Sequence, residues 1–154
     1  MSRKLPGVSP ASITRFLSQA RRIAGINGRV NVLLTSDYEL RRLNRMYRGK
    51  DEATDVLSFP AGPHMAAEFA GDIAISVQYA TRSARRFGHS PGEELRILLL
   101  HGLLHLAGYD HERDNGRMGR KEDRLRRRLG LPVSLIARSS SRDTRRRRQK
   151  EQHA

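Results

Sequence analysis

Apolar residues recur at helical spacing from Ser9 to about Ala24, at Ile13, Phe16, Leu17, Ala20, Ile23 and Ala24, which predicts an opening helix with one buried face. RVNVLLTS, residues 29–36, reads as a strand. Ser36 and Glu39 then form an S-x-x-E capping box, whose side chains satisfy free N–H groups at a helix start, so a helix is expected through Leu40, Leu43 and Tyr47. Gly49 closes it. KDEATDVLSFP is a polar loop running into a short strand, VLSF, stopped by Pro60. AGPHMAAEFAG has little pattern and reads as a connector, GDIAIS (71–76) as another strand, and VQYATRSARRFG as a helix ending at Gly88.

The most apolar segment follows, in HSPGEELRILLLHGLLHLAG. Ser90 as N-cap, Pro91 in the first turn and Glu93 in a second capping box define its start. From Leu95 to Leu106 it is apolar nearly all round, as a central buried helix must be, and Gly108 ends it. Residues 114–129 predict a final, arginine-studded helix. The pattern gives one compact α+β domain: a small, mostly helix-covered sheet of about four strands around a central helix, over residues 1–136. Residues 137–154 are expected to form an Arg-rich disordered tail, since arginines repel one another and there is little to bury.

Charge changes this picture more than length does. The chain has 154 residues, with 30 Lys and Arg against 16 Asp and Glu, a formal net charge of +14. The tail contributes +5, from seven basic and two acidic residues, so residues 1–136 keep 23 against 14, or +9. Such a field favours polyanions by attraction to phosphates and release of their counterions, the alternative being a merely solvated basic surface. Aromatics are few, so RNA recognition would lean on backbone charge and shape. With no cysteine, disulfides, thiolate nucleophiles and cysteine-held metals are excluded. The N-terminus lacks the apolar core of a signal peptide, and ILLLHGLLHLAG is too short to span a bilayer, so a cytoplasmic protein is expected.

Two histidines stand inside that leucine-rich segment, where an unsatisfied imidazole is costly. His101 and His105 are four apart and share one helix face, so both can meet one ion. Gly108 lets the chain turn back, so His111 can supply a third ligand. Three nitrogen ligands leave a tetrahedral zinc ion with one open position, the arrangement of a catalytic site. Zinc is favoured over iron or nickel because all-nitrogen tetrahedral sites suit it. H-x3-H-x5-H is also the ligand spacing of metzincin proteases, but those carry a glutamate base after the first histidine, where this chain has Gly102. A zinc peptidase is thus a weak alternative.

HGLLHLAGYDH (101–111), LNRMYRGKDEATDVLSFP (43–60) and GDIAIS together resemble the YbeY family of bacterial metallo-endoribonucleases. The first stretch fits the signature HGxLHLxGYDH at every fixed position, and the order and spacing of the three agree over roughly residues 30–112. The resemblance implies one Zn2+ on His101, His105 and His111, in a cleft over the sheet, with His101 and Arg48 as the catalytic residues. Arg48 is chemically suited to clamp a scissile phosphate with its bidentate fork, although an arginine at a helix end also suits the macrodipole. Also implied are cleavage of single-stranded RNA, a role in 16S rRNA 3′-end maturation and ribosome quality control, and rRNA and ribosomal particles as partners. A ribosomal protein or GTPase is a candidate partner; DNA and membranes are not. A zinc-containing, non-catalytic ribosome assembly factor shares every bulk feature with this reading. Asp51, Thr54 and Asp55 are expected to shape their loop, and Asp110 its turn. His64, His89 and His153 are expected at the surface, and the polar setting of Met118 argues against a metzincin-like Met-turn.

Overall fold

The computed structural model describes residues 3–5, 7–49, 54–62, 68–110, 114–132 and 135–138. The elements run α1 (Pro10–Ile23), β1 (Arg29–Thr35), α2 (Asp37–Arg48), β2 (Val56–Pro60), β3 (Phe69–Ser76), α3 (Val77–Phe87), α4 (Pro91–Leu106) and α5 (Arg117–Arg128). The serine half of each capping box acts as the sequence predicts, while the Glu39 carboxylate pairs with Arg42 and that of Glu93 accepts from the Ser90 hydroxyl. Ser9, Ser36 and Ser90 accept from the N–H groups of Ser12, Glu39 and Glu93, and Gly49 and Gly88 end their helices in the left-handed region.

The sheet has three strands in the order β1-β3-β2 among the described residues, not about four. Only three segments carry the required apolar pattern, and the connector after Pro60 adds no strand in its described part. β3 is central, parallel to β1 and antiparallel to β2. Pairing of Ile73 with Val32 and Ser58, and of Ile75 with Leu34 and Val56, sorts the side chains onto two faces.

On one face, Leu34, Ile73 and Ile75 pack in the main core with α4 and with Phe16 and Ala20 of α1. On the other, Leu57 and Ala74 are closed over by Leu40 of α2. An open apolar groove of about 450 Å³ beside α2 is lined by Leu33, Leu43, Tyr47 and Phe59. α4 is the hub, touching the sheet, α1, α3 and α5, which is why Leu95 and Ile97 to Leu104 are all buried. No described helix is long and apolar enough to cross a membrane.

Packing continues two residues past the expected domain boundary. Arg138 is buried and makes a bidentate ion pair, 2.8 Å on each arm, with the carboxylate of Glu94, which is 0% exposed. Its guanidinium carbon lies 4.2 Å from the centre of the Phe87 ring. Residues 139–154 of the expected tail lie outside the described residues.

The starts of α2 and α3 are stapled together. Asp37 accepts from the Ser76 hydroxyl, pairs with Arg82 at 2.8 Å, and donates its N–H to Gln78. Burial pushes the Asp37 carboxyl up, but the Arg82 and Ser76 hydrogen bonds outweigh it, and the net effect is a lowered pKa. A lowered folded-state pKa stabilises above the unfolded value of about 3.9 and is lost as pH falls through the folded value. Asp37→Asn is therefore expected to cost up to about 1 kcal/mol at pH 7, the partner being exposed. In urea titrations run at a series of pH values the gap should close as pH falls below the unfolded value and through the lower folded one; a gap constant with pH would remove the charge argument.

Candidate metal centre

α4 carries His101 and His105 on one side, one turn apart. His101 is 6% exposed, His105 half-buried. The rings meet edge to face, with centroids 4.7 Å apart, and their Nε2 atoms are 3.1 Å from each other. Each Nδ1 is occupied elsewhere. That of His101 lies 2.7 Å from Oε2 of Glu122, and that of His105 lies 3.0 Å from the carbonyl oxygen of Tyr109. Gly108, with φ +97°, makes the turn that brings Tyr109 back under the helix end. The turn expected there thus exists, and its visible product is the Tyr109 contact.

This geometry fits a nitrogen-ligated ion. With bonds of about 2.0–2.1 Å, two ligands of a tetrahedral ion stand about 3.3 Å apart, close to the spacing of the two Nε2 atoms. Both remaining nitrogens converge, and the outer ones are already committed. Among the described residues no third histidine, cysteine or carboxylate completes a ligand group with the pair. His111, the expected third ligand, lies outside the described residues, as do His64, His153 and Asp51.

Glu122 is the residue that sequence reasoning missed. It is 0% exposed on α5, and its second oxygen, Oε1, accepts the backbone N–H of Ile136 at 2.9 Å. Asp114 starts this helix by accepting the N–H groups of Gly116 and Met118. Met118, Glu122 and Leu125 form its buried face, while Arg117, Arg120, Arg124, Arg127 and Arg128 stay exposed. The setting of Met118 is therefore core, not polar, and the residue lies in a helix, not a turn. The helical spacing of Met118, Glu122 and Leu125, a stripe without a basic residue inside an arginine run, was the available signal.

Gly102 has a packing reason. A Cβ there would lie 3.0 and 3.1 Å from carbons of Ile73 and 3.2 Å from the Ser58 hydroxyl oxygen, which donates to the Gly102 carbonyl. Glycine lets α4 lie flat on β2 and β3. A larger side chain at this position, such as the glutamate a peptidase needs, would have to displace Ile73 and Ser58.

Arg48 is the exposed last residue of α2, with no hydrogen bond or ion pair among the described residues. α2 packs on the sheet face opposite α4, and no described contact joins Arg48 to the imidazole pair. Thr54 and Asp55 shape their loop as expected, Asp55 accepting the Val56 N–H at 2.9 Å. Asp110 is exposed. His89 is not a surface residue; it is half-buried and stacked on Phe87, and its Nε2 is shut from solvent with no partner among the described residues.

Fold and site together define a small α+β protein whose central helix carries a convergent imidazole pair and whose net charge is +14. Residues 10–130 match the family model described as Endoribonuclease YbeY. The chain belongs to that family. It is 56% identical over 140 residues to the Endoribonuclease YbeY of Koribacter versatilis, covering 91% of this chain and 90% of that one. Against the Endoribonuclease YbeY of Solibacter usitatus the identity is 50% over 131 residues, covering 84% and 86%. A solution structure of a Thermotoga maritima protein matches with a TM-score of 0.53 and 31% identity, covering 84% of this chain and 89% of the other.

Proposed function

We propose that this chain is a zinc-dependent endoribonuclease that cuts single-stranded RNA, and that it acts in the cytoplasm on the 3′ end of 16S rRNA and in ribosome quality control. The observation that carries the reading is the imidazole pair: two Nε2 atoms 3.1 Å apart, each ring held through its other nitrogen. The family name borne by relatives up to 56% identical supplies the RNA substrate, and the net charge of +14 suits a polyanion. rRNA and ribosomal particles are the partners this predicts, with a ribosomal protein or GTPase to deliver them.

His101 and His105 would hold the ion, with His111 as third ligand. A bound zinc ion supplies Lewis acidity at a phosphoryl oxygen and eases deprotonation of water. Gly102 leaves no carboxylate base beside the pair on α4. Arg48 would meet the phosphate with two parallel N–H donors and offset the negative charge that grows in the transition state. Water and the substrate's own 2′-OH remain the two candidate nucleophiles; analysis of the product ends separates them.

The test is cleavage of an RNA hairpin bearing a single-stranded 3′ extension. Activity should vanish on stripping with chelator and return with zinc. Arg48→Ala should cut the rate by roughly 100-fold, the cost of removing one oxyanion donor, with zinc content unchanged. Zinc lost in step with activity would take that role from Arg48. No cleavage by the zinc-loaded wild type would instead favour a non-catalytic assembly factor.

A further inference from the structure

We infer that Glu122 is the positioning residue of the metal centre: it holds the His101 ring in the tautomer whose Nε2 lone pair faces the ion, and it is itself held by the turn at residues 135–138. The inference rests on the metal reading above and adds to it the two residues behind the ligands.

An ionised carboxylate only accepts hydrogen bonds. Glu122 Oε2 at 2.7 Å from His101 Nδ1 therefore places the ring proton on Nδ1 and leaves Nε2 bare, pointing at the Nε2 of His105. A carboxylate behind a ligating imidazole fixes both ring angle and basicity. Glu122 cannot turn away. Its other oxygen takes the Ile136 N–H at 2.9 Å, and the carboxylate is 0% exposed. Two residues further on, Arg138 is locked to Glu94. Glu94 and His101 are seven apart on α4, two helical turns, so they lie on one side of that helix. The turn at 135–138 thus bridges α5 and α4 on the side that carries the histidines. Ile136 also lies over Gly119 of α5, where a Cβ would come 3.4 Å from its Cγ2. Neither hydrogen bond of Glu122 involves an ion, so its hold on the His101 ring and on the Ile136 N–H is present before any ion binds.

Glu122→Gln is the diagnostic change, because it keeps shape and supplies one oxygen for two donors. With that oxygen on the Ile136 N–H, the amide NH2 faces Nδ1 and moves the ring proton to Nε2. Two readouts test this besides activity. In the metal-free wild type, a long-range 1H–15N correlation spectrum should show His101 protonated on Nδ1, and in metal-free Glu122→Gln a shift towards Nε2–H. Competition with a chromophoric chelator should show zinc binding roughly 10- to 100-fold weaker in Glu122→Gln. A folded Glu122→Gln that binds zinc as tightly as a zinc-binding wild type overturns the inference alone. So does a metal-free wild type whose His101 carries no proton on Nδ1, a result that needs no variant to fold. Failure of the wild type to take up zinc overturns the metal reading and the inference with it.

Discussion

His105→Ala is expected to lower RNA cleavage by at least roughly 100-fold, because even residues behind a metal ligand are worth 10- to 100-fold and a ligand is worth more. The change is clean. His105 is half-buried at the end of α4, and its Nδ1 bonds the Tyr109 carbonyl. Losing that bond costs about 1 kcal/mol, which a folded domain tolerates. His101 is the poorer test, since removing it strands Glu122 in the core beside a cavity. Wild type and His105→Ala, purified identically and matched by thermal melts, should therefore differ in zinc content and cleavage but little in melting temperature. Equal cleavage by both would mean that the activity belongs to a contaminant or that the pair is not a metal site.

The second large effect is one of stability, and it should be asymmetric. Arg138→Met is expected to cost about 3–5 kcal/mol, the usual penalty for leaving one member of a buried pair alone. Glu94 sits inside the first turn of α4 at 0% exposure and has nowhere to go when its partner is removed. Glu94→Gln should cost less, because Arg138 carries its charge at the tip of a long side chain that can swing out to water. Pairing Arg138→Met with Glu94→Leu should recover most of the loss, since an apolar pair of similar volume is often as stable as the ions it replaces. Urea unfolding of the four proteins checks the order. If Glu94→Gln proved the more damaging single change, the burial argument for Glu94 would fail.

Local signals made most of the fold legible in the sequence. Ser36 and Ser90 each stand three residues before the glutamate whose N–H they cap, and Gly49 and Gly88 adopt the left-handed conformation a helix end requires. The pairing of His101 with His105 is likewise local, being one helical turn. What stayed hidden depends on distant residues or on backbone atoms. Glu122 lies 21 positions from His101, and Arg138 lies 44 from Glu94. The Tyr109 contact uses a carbonyl, which every residue has. Composition misled at Met118 because the arginines around it point outward while it points in. The three strands are the three segments the pattern singled out, and no fourth segment among the described residues joins them.

The clamp at residues 135–138 also bears on how the protein is made. Chains emerge from synthesis N-terminus first and begin to fold as they do. The sheet, α1 and α4 are available to collapse well before Ile136 and Arg138 exist. During that interval Glu94 lacks Arg138, and Glu122 has its His101 partner but not the Ile136 N–H on its other oxygen. The order of synthesis thus makes the His101–Glu122 side of α4 the last part of the domain to gain its full set of hydrogen bonds, once residues 135–138 have docked.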